Sequence, residues 1–343
     1  VAANVRYDYP VNEEVATAQR RIVRSWRSLT GGPAVRDAHR PTLLAVSGGA
    51  DSCALALALA GRTGVQCIGH VVHDMRPRDE AEADRHMVEK LGLKLGLAVR
   101  VEHIEVGPGN AEGNARRLRY AALAKMAADA RCTYVAAAHH ADDVLETMLA
   151  NLIRGAGPRG LRGPEPRRRL DENTTLVRPM LHVTRKEAEA ICETAGWQWS
   201  HDATNDDPGG QDAPLRAAIR ARVLPVLEGL RPGASIRASR AAEAVGQAVR
   251  VVEAAVDAAL PAFAMVEGDG VRLDTGVLVE CPPAVREGLL RRVLGHVGEA
   301  GHDRLSAATT RSLLGWMLEG RGTREVAGLR FEHAGSSVLV SQA

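Results

Sequence analysis

One stretch of this 343-residue chain restricts its possible folds more than any other. From Thr42 to Ala60 an apolar run, Leu43 to Val46, stops at Ser47-Gly48-Gly49 and resumes after Asp51-Ser52 as an alanine- and leucine-rich segment. That segment is too rich in helix formers to be another strand, so the stretch predicts a strand, a tight glycine turn and a helix. Such a turn suits an anion. Gly48 and Gly49 can take φ > 0 and carry no side chain to block a phosphate, and the free N–H groups of the helix start point into the same space. Ser47 and Ser52 add hydroxyl donors, and Asp51 is the group here that could hold a Mg²⁺ bridging phosphate oxygens. An ordinary βα turn with Asp51 or Ser52 as N-cap would complement the helix dipole with no ligand at all. Ser-Gly-Gly-x-Asp-Ser is nevertheless more specific than a glycine pair, and it is not the G-x-x-x-x-G-K-[ST] loop, because position 50 is Ala50 and no lysine follows the turn.

At these residues the chain resembles the PP-loop ATP pyrophosphatases, enzymes that split ATP into AMP and pyrophosphate to activate a carbonyl oxygen. The resemblance implies that Ser47, Gly48, Gly49, Ala50, Asp51 and Ser52 grip the pyrophosphate half of ATP.

The length allows two domains, each with its own core. A net charge of +2 excludes a strongly basic protein, so any nucleic-acid site has to be argued from local clustering. Cys53, Cys67, Cys132, Cys192 and Cys281 form no C-x-x-C motif, and their odd number argues against a disulfide framework. With no signal peptide and no apolar run of transmembrane length, the expected compartment is the cytoplasm, with no membrane partner.

Ahead of the turn, residues 1–40 read as an irregular lead and an amphipathic helix, Glu13 to Leu29, with Val15, Ala18, Ile22, Val23 and Trp26 at helical spacing. After the turn, apolar segments alternate with helical ones: 65–72, 79–95, 97–104, 111–130 and 133–138. This alternation predicts a parallel, doubly wound α/β sheet whose ligands gather beyond the carboxyl ends of the strands. The catalytic domain is set at 41–230. From 231 to 343 alanine-rich helices suggest a smaller, mostly helical domain, with short strands around 323–326 and 338–340.

The residues just after each strand are therefore the ones to read. His73 could stack on or bond a nucleotide, with Arg76 close by as a cation for phosphate. Arg116 and Arg119 share a helix face beside Tyr120. In His139-His140-Ala141-Asp142-Asp143, followed by Glu146, the carboxylates of Asp143 and Glu146 lie three apart in a helix start and suit the ammonium of an amine; dipole complementation alone would select the same acids. The H-E-x-x-H spacing of a helical zinc site is absent. From Arg154 to Arg169 the chain carries six arginines against one glutamate, among glycines and prolines that predict no regular structure. Such a loop is either a solvated connection or a phosphate-backbone contact that orders on RNA.

Taken together these stretches are similar to the bacterial tRNA(Ile)-lysidine synthetases, in their shorter form. The match runs in order through Ser47 to Ser52, His73 with Arg76-Pro77, Ala115-Arg116 with Arg119-Tyr120, and His139-His140 with Asp143, Glu146-Thr147 and Arg154-Gly155. It continues through Arg178-Pro179, Asp202 with Asn205, and Arg216 with Arg220 and Leu224-Pro225. The resemblance implies an adenine nucleotide alpha hydrolase-like fold and an ATP- and Mg²⁺-dependent ligase. ATP would adenylate the C2 oxygen of the wobble cytidine in the CAU anticodon of an isoleucine tRNA, and the ε-amine of free L-lysine would displace AMP. By the same similarity the glycine turn and His73 hold ATP, Asp51 helps bind Mg²⁺, and Asp143 with Glu146 receives lysine or activates its amine. Arg116 and Arg119 would sit near the activated base, and Arg154, Arg159, Arg178, Arg216 and Arg220 on the tRNA. Three positions depart from the family's pattern: Val72 stands for its aspartate, Asp74 for its glycine and Ala217 for its asparagine. The rivals are a PP-loop tRNA thiolase, against which the isolated cysteines speak, and an inactive tRNA-binding protein on the same fold. Apolar positions in the alanine-rich half would permit a homodimer.

Overall fold

The computed structural model describes residues 13–74, 77–107, 111–200, 215–297 and 305–343. Arg76, Asp202 and Asn205 lie outside the described residues. The described residues group into two compact units: one runs to Ala156 and takes in Gly160–Glu243, and the other holds Gly157–Arg159 and Ala244–Ala343.

The first unit is built on five parallel strands and one antiparallel edge. Strands β1 (Thr42–Ala45), β2 (Val65–His73), β3 (Ala98–Ile104), β4 (Tyr134–Ala136) and β6 (Thr175–Val177) pair in parallel, and β5 (Arg167–Arg169) runs antiparallel to β6; the order is β3-β2-β1-β4-β6-β5. From β1 the chain winds outward through β2 and β3, then returns to β4 on the other side of β1. This reversal opens a crevice between the carboxyl ends of β1 and β4, where a doubly wound sheet binds its ligands.

Both faces of the sheet are covered. On one, α1 (Glu13–Leu29) packs the predicted stripe of Val15, Ala18, Ile22, Val23 and Trp26 into a core shared with α2 (Ala50–Leu59), α3 (Arg78–Leu95) and α7 (Arg185–Thr194). On the other, α4 (Ala111–Asp129) packs Tyr120, Leu123, Met126 and Ala127 against Leu43, Val135 and Leu176. Arg40 fastens the end of α1 to the sheet. Its fully buried guanidinium donates to the carbonyls of Arg27, Thr30, Gly32 and Val35 at 2.6–3.0 Å and lies 5.6 Å from the Trp26 ring. It thereby satisfies carbonyls that a helix end leaves without partners.

The arginine-rich connection is more regular than its composition suggested. It contains α6 (Pro158–Leu161) and β5. Proline at a first helical position loses no hydrogen bond, and arginines are tolerated on an edge strand, where their charge also blocks further pairing. Helix α7 opens with a capping box in which the Thr184 hydroxyl accepts the Glu187 N–H and the Glu187 carboxylate accepts the Thr184 N–H.

After the short helices α8 (Leu215–Ala218) and α9 (Leu224–Leu230), helix α10 (Ala234–Phe263) begins in the first unit and ends in the second. The second unit adds α11 (Thr275–Glu280), α12 (Pro283–Val297), α13 (Ala307–Glu319) and an antiparallel sheet, β7-β8-β11-β10-β9, made of β7 (Ala264–Glu267), β8 (Gly270–Asp274), β9 (Thr323–Val326), β10 (Leu329–Ala334) and β11 (Ser337–Gln342). Its core gathers Phe263, Leu289, Leu290, Leu313, Met317, Phe331 and Val340. Three of these strands, β7, β8 and β10, were not expected from the sequence, because each is short; β8 and β10 alternate charged with apolar residues, and β7 continues directly from the apolar end of α10.

Candidate active site

The glycine turn follows β1 directly. Gly48 has φ +102°, a conformation that side chains strain to adopt, whereas Gly49 sits at φ −73° as the N-cap of α2. Only the first glycine is therefore required by its backbone. A Cβ on Gly49 would meet nothing nearer than Ser47 Oγ at 3.7 Å, so the protein itself has room there, and the missing side chain keeps that room for a ligand. Asp51 and Ser52 lie inside the first turn of α2 rather than at its cap. Ser52 Oγ accepts from the Ser47 N–H at 3.1 Å and donates to the Gly49 carbonyl at 2.9 Å, which holds the loop closed around its own amides.

Asp51 Oδ1 is buried with no hydrogen-bond partner among the described residues. A buried carboxylate oxygen without a donor is costly unless something else fills that role, and in a phosphate-binding turn a divalent cation fits it. No group of three or more metal-ligating side chains occurs among the described residues, so a cation here would rest on Asp51 together with its ligand's own oxygens.

Across the crevice, β4 leads into α5 (Ala141–Ile153), whose N-cap is His140. His140 is the hub of the site: Nε2 lies 3.4 Å from Asp51 Oδ2 and 3.7 Å from Asp143 Oδ2, and Nδ1 lies 3.4 Å from Asp142 Oδ2. Burial alone would keep this imidazole neutral, but Asp143, Asp142 and Asp51 outweigh it and raise its pKa well above the usual histidine value. In the charged ring Nδ1–H donates a hydrogen bond to Asp142, so the Asp143 N–H, also 3.4 Å from Nδ1, makes only a weak contact there. Asp142 ties three elements together by accepting the Arg185 N–H and the Ser235 hydroxyl, each at 2.8 Å. Burial would raise its carboxyl, yet these donors and His140 hold it at about 2.

Asp143 and Glu146, read as one pair, have different surroundings. Glu146 is 2% exposed and spends both oxygens on Arg220, at 2.6 and 2.9 Å. Asp143 binds the His140 N–H at 3.0 Å with one oxygen, and its side chain remains 26% exposed. Arg220 thus lies inside the site, and Arg216, one turn earlier, donates to the Thr147 hydroxyl.

Arg116 and Arg119 lie 5.6 and 5.9 Å from the Tyr120 ring, and Arg168 of β5 comes closer still, at 5.0 Å. Arg178 is buried at 2% exposure, donating to the Glu165 carbonyl and to His139 Nδ1, so it organises this cationic cluster from within instead of facing a surface. Burial, then Arg178, Arg116 and Arg119, push His139 well below its ordinary pKa and leave it neutral. His73 ends β2 on the same sheet edge. Asp74 beside it accepts the Val106 N–H at 2.9 Å, which ties the β2 loop to the end of β3. Arg159 belongs to the second unit, paired with Glu253 at 3.4 Å. Arg116, Thr147, Asn151, Arg154 and Arg216 line one cleft of about 320 Å³. Sequence reading missed the central part of His140 and Asp142; a histidine directly before an acid-rich helix start was the signal for the first.

The cysteines are less isolated than their spacing suggested. Cys67 and Cys132 share one buried cluster, where their interaction lowers the first thiol and raises the second, and Cys132 donates its S–H to the Ala130 carbonyl at 3.7 Å. Both lie at the amino ends of β2 and β4, away from the crevice.

Residues 16–227 match the family model of the PP-loop domain. A tRNA(Ile)-lysidine synthase from Salinispora arenicola is 39% identical, covering 94% of this chain and 96% of its own. The chain belongs to the tRNA(Ile)-lysidine synthase family. A Thermus thermophilus tRNA(Ile)-lysidine synthase is 35% identical over 80% of the chain, which spans 52% of that longer relative. Among solved structures, the U34-tRNA thiolase NcsA from Methanococcus maripaludis, with its [4Fe-4S] cluster, superposes with a TM-score of 0.53 at 15% identity, covering 68% of this chain and 78% of its own. That likeness is one of fold. In this chain the glycine turn, His140 and Asp143 make up one continuous polar edge of the sheet.

Proposed function

We propose that this protein makes lysidine, joining free L-lysine to C2 of the wobble cytidine of an isoleucine tRNA with a CAU anticodon at the expense of ATP. One observation carries the reading beyond family membership: His140 joins Asp51, in the phosphate-binding turn, to Asp143, the open carboxylate of α5. A phosphate grip and an amine receiver therefore face each other across one imidazolium.

In the first step the cytidine O2 attacks the α-phosphorus of ATP and pyrophosphate leaves. The amides of Gly48 to Ser52 and the hydroxyls of Ser47 and Ser52 hold the departing phosphates, while His73 borders the nucleotide. Asp51 would hold a Mg²⁺, which supplies charge neutralisation for the phosphate oxygens. Arg116 and Arg119 offset the negative charge near the adenylated base. In the second step the lysine ε-nitrogen bonds to C2, and AMP leaves carrying O2. Asp143 receives the incoming ammonium and takes its proton. Glu146 acts through Arg220 and is a positioning residue rather than the proton acceptor. Arg154 and Arg216 meet the RNA, and Arg159 offers a further contact from the second unit.

Among the described residues no helix is long and apolar enough to cross a membrane. The reading places the enzyme with its tRNA in the cytoplasm. A homodimer would use the exposed Val251, Met265, Val266 and Val279 of the second unit, and sedimentation at two concentrations tests it.

The deciding experiment incubates the protein with ATP-Mg²⁺, lysine and a CAU-anticodon isoleucine tRNA transcript, digests the RNA and weighs its nucleosides. A cytidine heavier by lysine less water, dependent on both ATP and lysine, is the expected product. Absence of that nucleoside with a folded, ATP-binding protein refutes the reading.

A further inference from the structure

The carbonyl of Gly48 is held from outside its own turn. Helix α7 ends in a Schellman turn: the Gly196 N–H bonds to the Glu193 carbonyl and the Trp197 N–H to the Cys192 carbonyl, each at 2.9 Å, with Gly196 at φ +59°. The chain thereby changes direction and residues 197–200 reach the glycine turn, with Trp197 and Trp199 packed on the core that holds α2. At the end of this segment the Ser200 N–H donates to the Gly48 carbonyl at 3.0 Å, and Cys53 gives its S–H to the same oxygen at 3.4 Å. A Cβ on Gly48 would stand 3.4 Å from Ser200 Oγ and 3.6 Å from Asp84 Oδ1, so this side of the turn is filled. Cys192, inside α7, donates its S–H to the Ala50 carbonyl at 3.4 Å, so α7 and its extension hold the turn at two carbonyls.

The peptide that joins Gly48 to Gly49 is planar and trans, so a carbonyl pinned on one side sends the Gly49 N–H to the other. That N–H has no acceptor among the described residues, and it belongs to the position where a side chain would find free space. Between two glycines no Cβ restricts rotation of the peptide plane, so the bonds to the Gly48 carbonyl are what fix it. We propose that Ser200 is a positioning residue for ATP: its backbone N–H, carried on the extension of α7, fixes this peptide so that the Gly49 N–H faces the pyrophosphate half of the nucleotide. The assignment rests on the ATP-binding part of the lysidine reading and deepens it. The other end of α7 is held as firmly. Asp142, the partner of His140, accepts the Arg185 N–H at 2.8 Å. One helix of ten residues therefore carries both the support of the His140 hub and the support of the phosphate turn.

The test exploits the fact that S200P deletes the N–H, whereas S200A keeps it and removes only the hydroxyl. Calorimetry on the full chain reads ATP, pyrophosphate and AMP. S200P is expected to bind ATP and pyrophosphate about fivefold to tenfold more weakly and AMP, which lacks the pyrophosphate half, as wild type does; S200A is expected to match wild type on all three within about twofold. A loss shared equally by AMP would make Ser200 a structural residue and overturn the proposal, as would wild-type affinity of S200P for pyrophosphate. A second measurement needs no variant and decides the matter where S200P does not fold. Coupling is reciprocal, so pyrophosphate that depends on the Ser200 bond also strengthens it. Saturating pyrophosphate is expected to slow hydrogen exchange at the Ser200 amide about fivefold to tenfold and to shift the Gly49 amide resonance. An unchanged Ser200 exchange rate overturns the proposal. Both expected results in a protein that makes no lysidine would sink the functional reading and keep the role of Ser200, whereas a wild type that binds neither ATP nor pyrophosphate sinks both.

Discussion

The ion pair between Glu146 and Arg220 separates two roles that a carboxylate on α5 could play. Glu146 is 2% exposed and Arg220 31% exposed, joined by two bonds of 2.6 and 2.9 Å. Removing either partner strands a charge in a poorly solvated place; such losses run to about 3–5 kcal/mol for fully buried pairs, and Arg220's partial exposure brings the expected cost down to about 2–3 kcal/mol. For a unit of this size that is a fall in Tm of roughly 5–10 °C. R220A and E146A should each show this loss in thermal and urea unfolding. The double variant should lose clearly less than the sum, because neither charge is then stranded. Activity separates the roles: E146Q keeps a hydrogen-bonding partner for Arg220 while giving up the ability to accept a proton. If Glu146 positions, E146Q retains lysine transfer to adenylated tRNA within about tenfold, whereas D143N loses more than a hundredfold. Strict additivity of the two alanine variants would refute the coupling. E146Q as inactive as D143N at unchanged stability would assign proton transfer to Glu146 instead.

Other perturbations separate structure from function in the same way. G49A should cost at most about 1 kcal/mol, since the position has an ordinary φ and free space, yet should weaken ATP binding at least tenfold by calorimetry. R168A should lower the slope of tRNA affinity against log salt by about 1, and R167A by less, because strand alternation puts only Arg168 over Tyr120. Asp142, held at about 2 against an ordinary 3.8, contributes about 2 kcal/mol of stability above pH 4, and this is lost as pH falls towards 2. The stability gap between wild type and D142N, read by urea unfolding, should therefore narrow as pH falls from 4 to 2; it should also shrink as pH rises through neutrality, because Asp142 helps hold the proton on His140.

What could be read from the sequence was whatever local pattern determines. The α1 stripe and the strand–turn–helix at Ser47 to Ser52 each depend on residues within a few positions of one another. The placement of Arg178 and Arg220 was not legible in that way. A helix or strand arginine in sequence looks like a surface cation, and only the packing of α5 against the helix that carries Arg220, and of β6 against β4, encloses them. The division of labour between Asp143 and Glu146 was hidden for the same reason: their spacing is local, but the partner that occupies Glu146 is 74 residues away. The β7, β8 and β10 strands were missed because a pattern over so few residues is a weak signal, and their pairing is what makes them strands.

The fold shared with a tRNA thiolase leaves open which nucleophile a PP-loop site serves, and the answer lies in how the chain disposes of its thiols. Sulfur transfer needs a thiolate or a cluster within reach of the activated base. Here Cys67 and Cys132 sit at the far ends of their strands. Cys53 and Cys192 do lie beneath the glycine turn, but both are fully buried and give their S–H to the carbonyls of Gly48 and Ala50 at 3.4 Å. Burial pushes the Cys53 thiol up to about 12, so neutral pH leaves it protonated. Cys281 belongs to the second unit. The group that faces the crevice is a carboxylate, Asp143, with a neighbouring imidazolium. A carboxylate is a poor sulfur carrier but a suitable receiver for an ammonium, so under the proposed function the same ATP chemistry would be directed towards an amine.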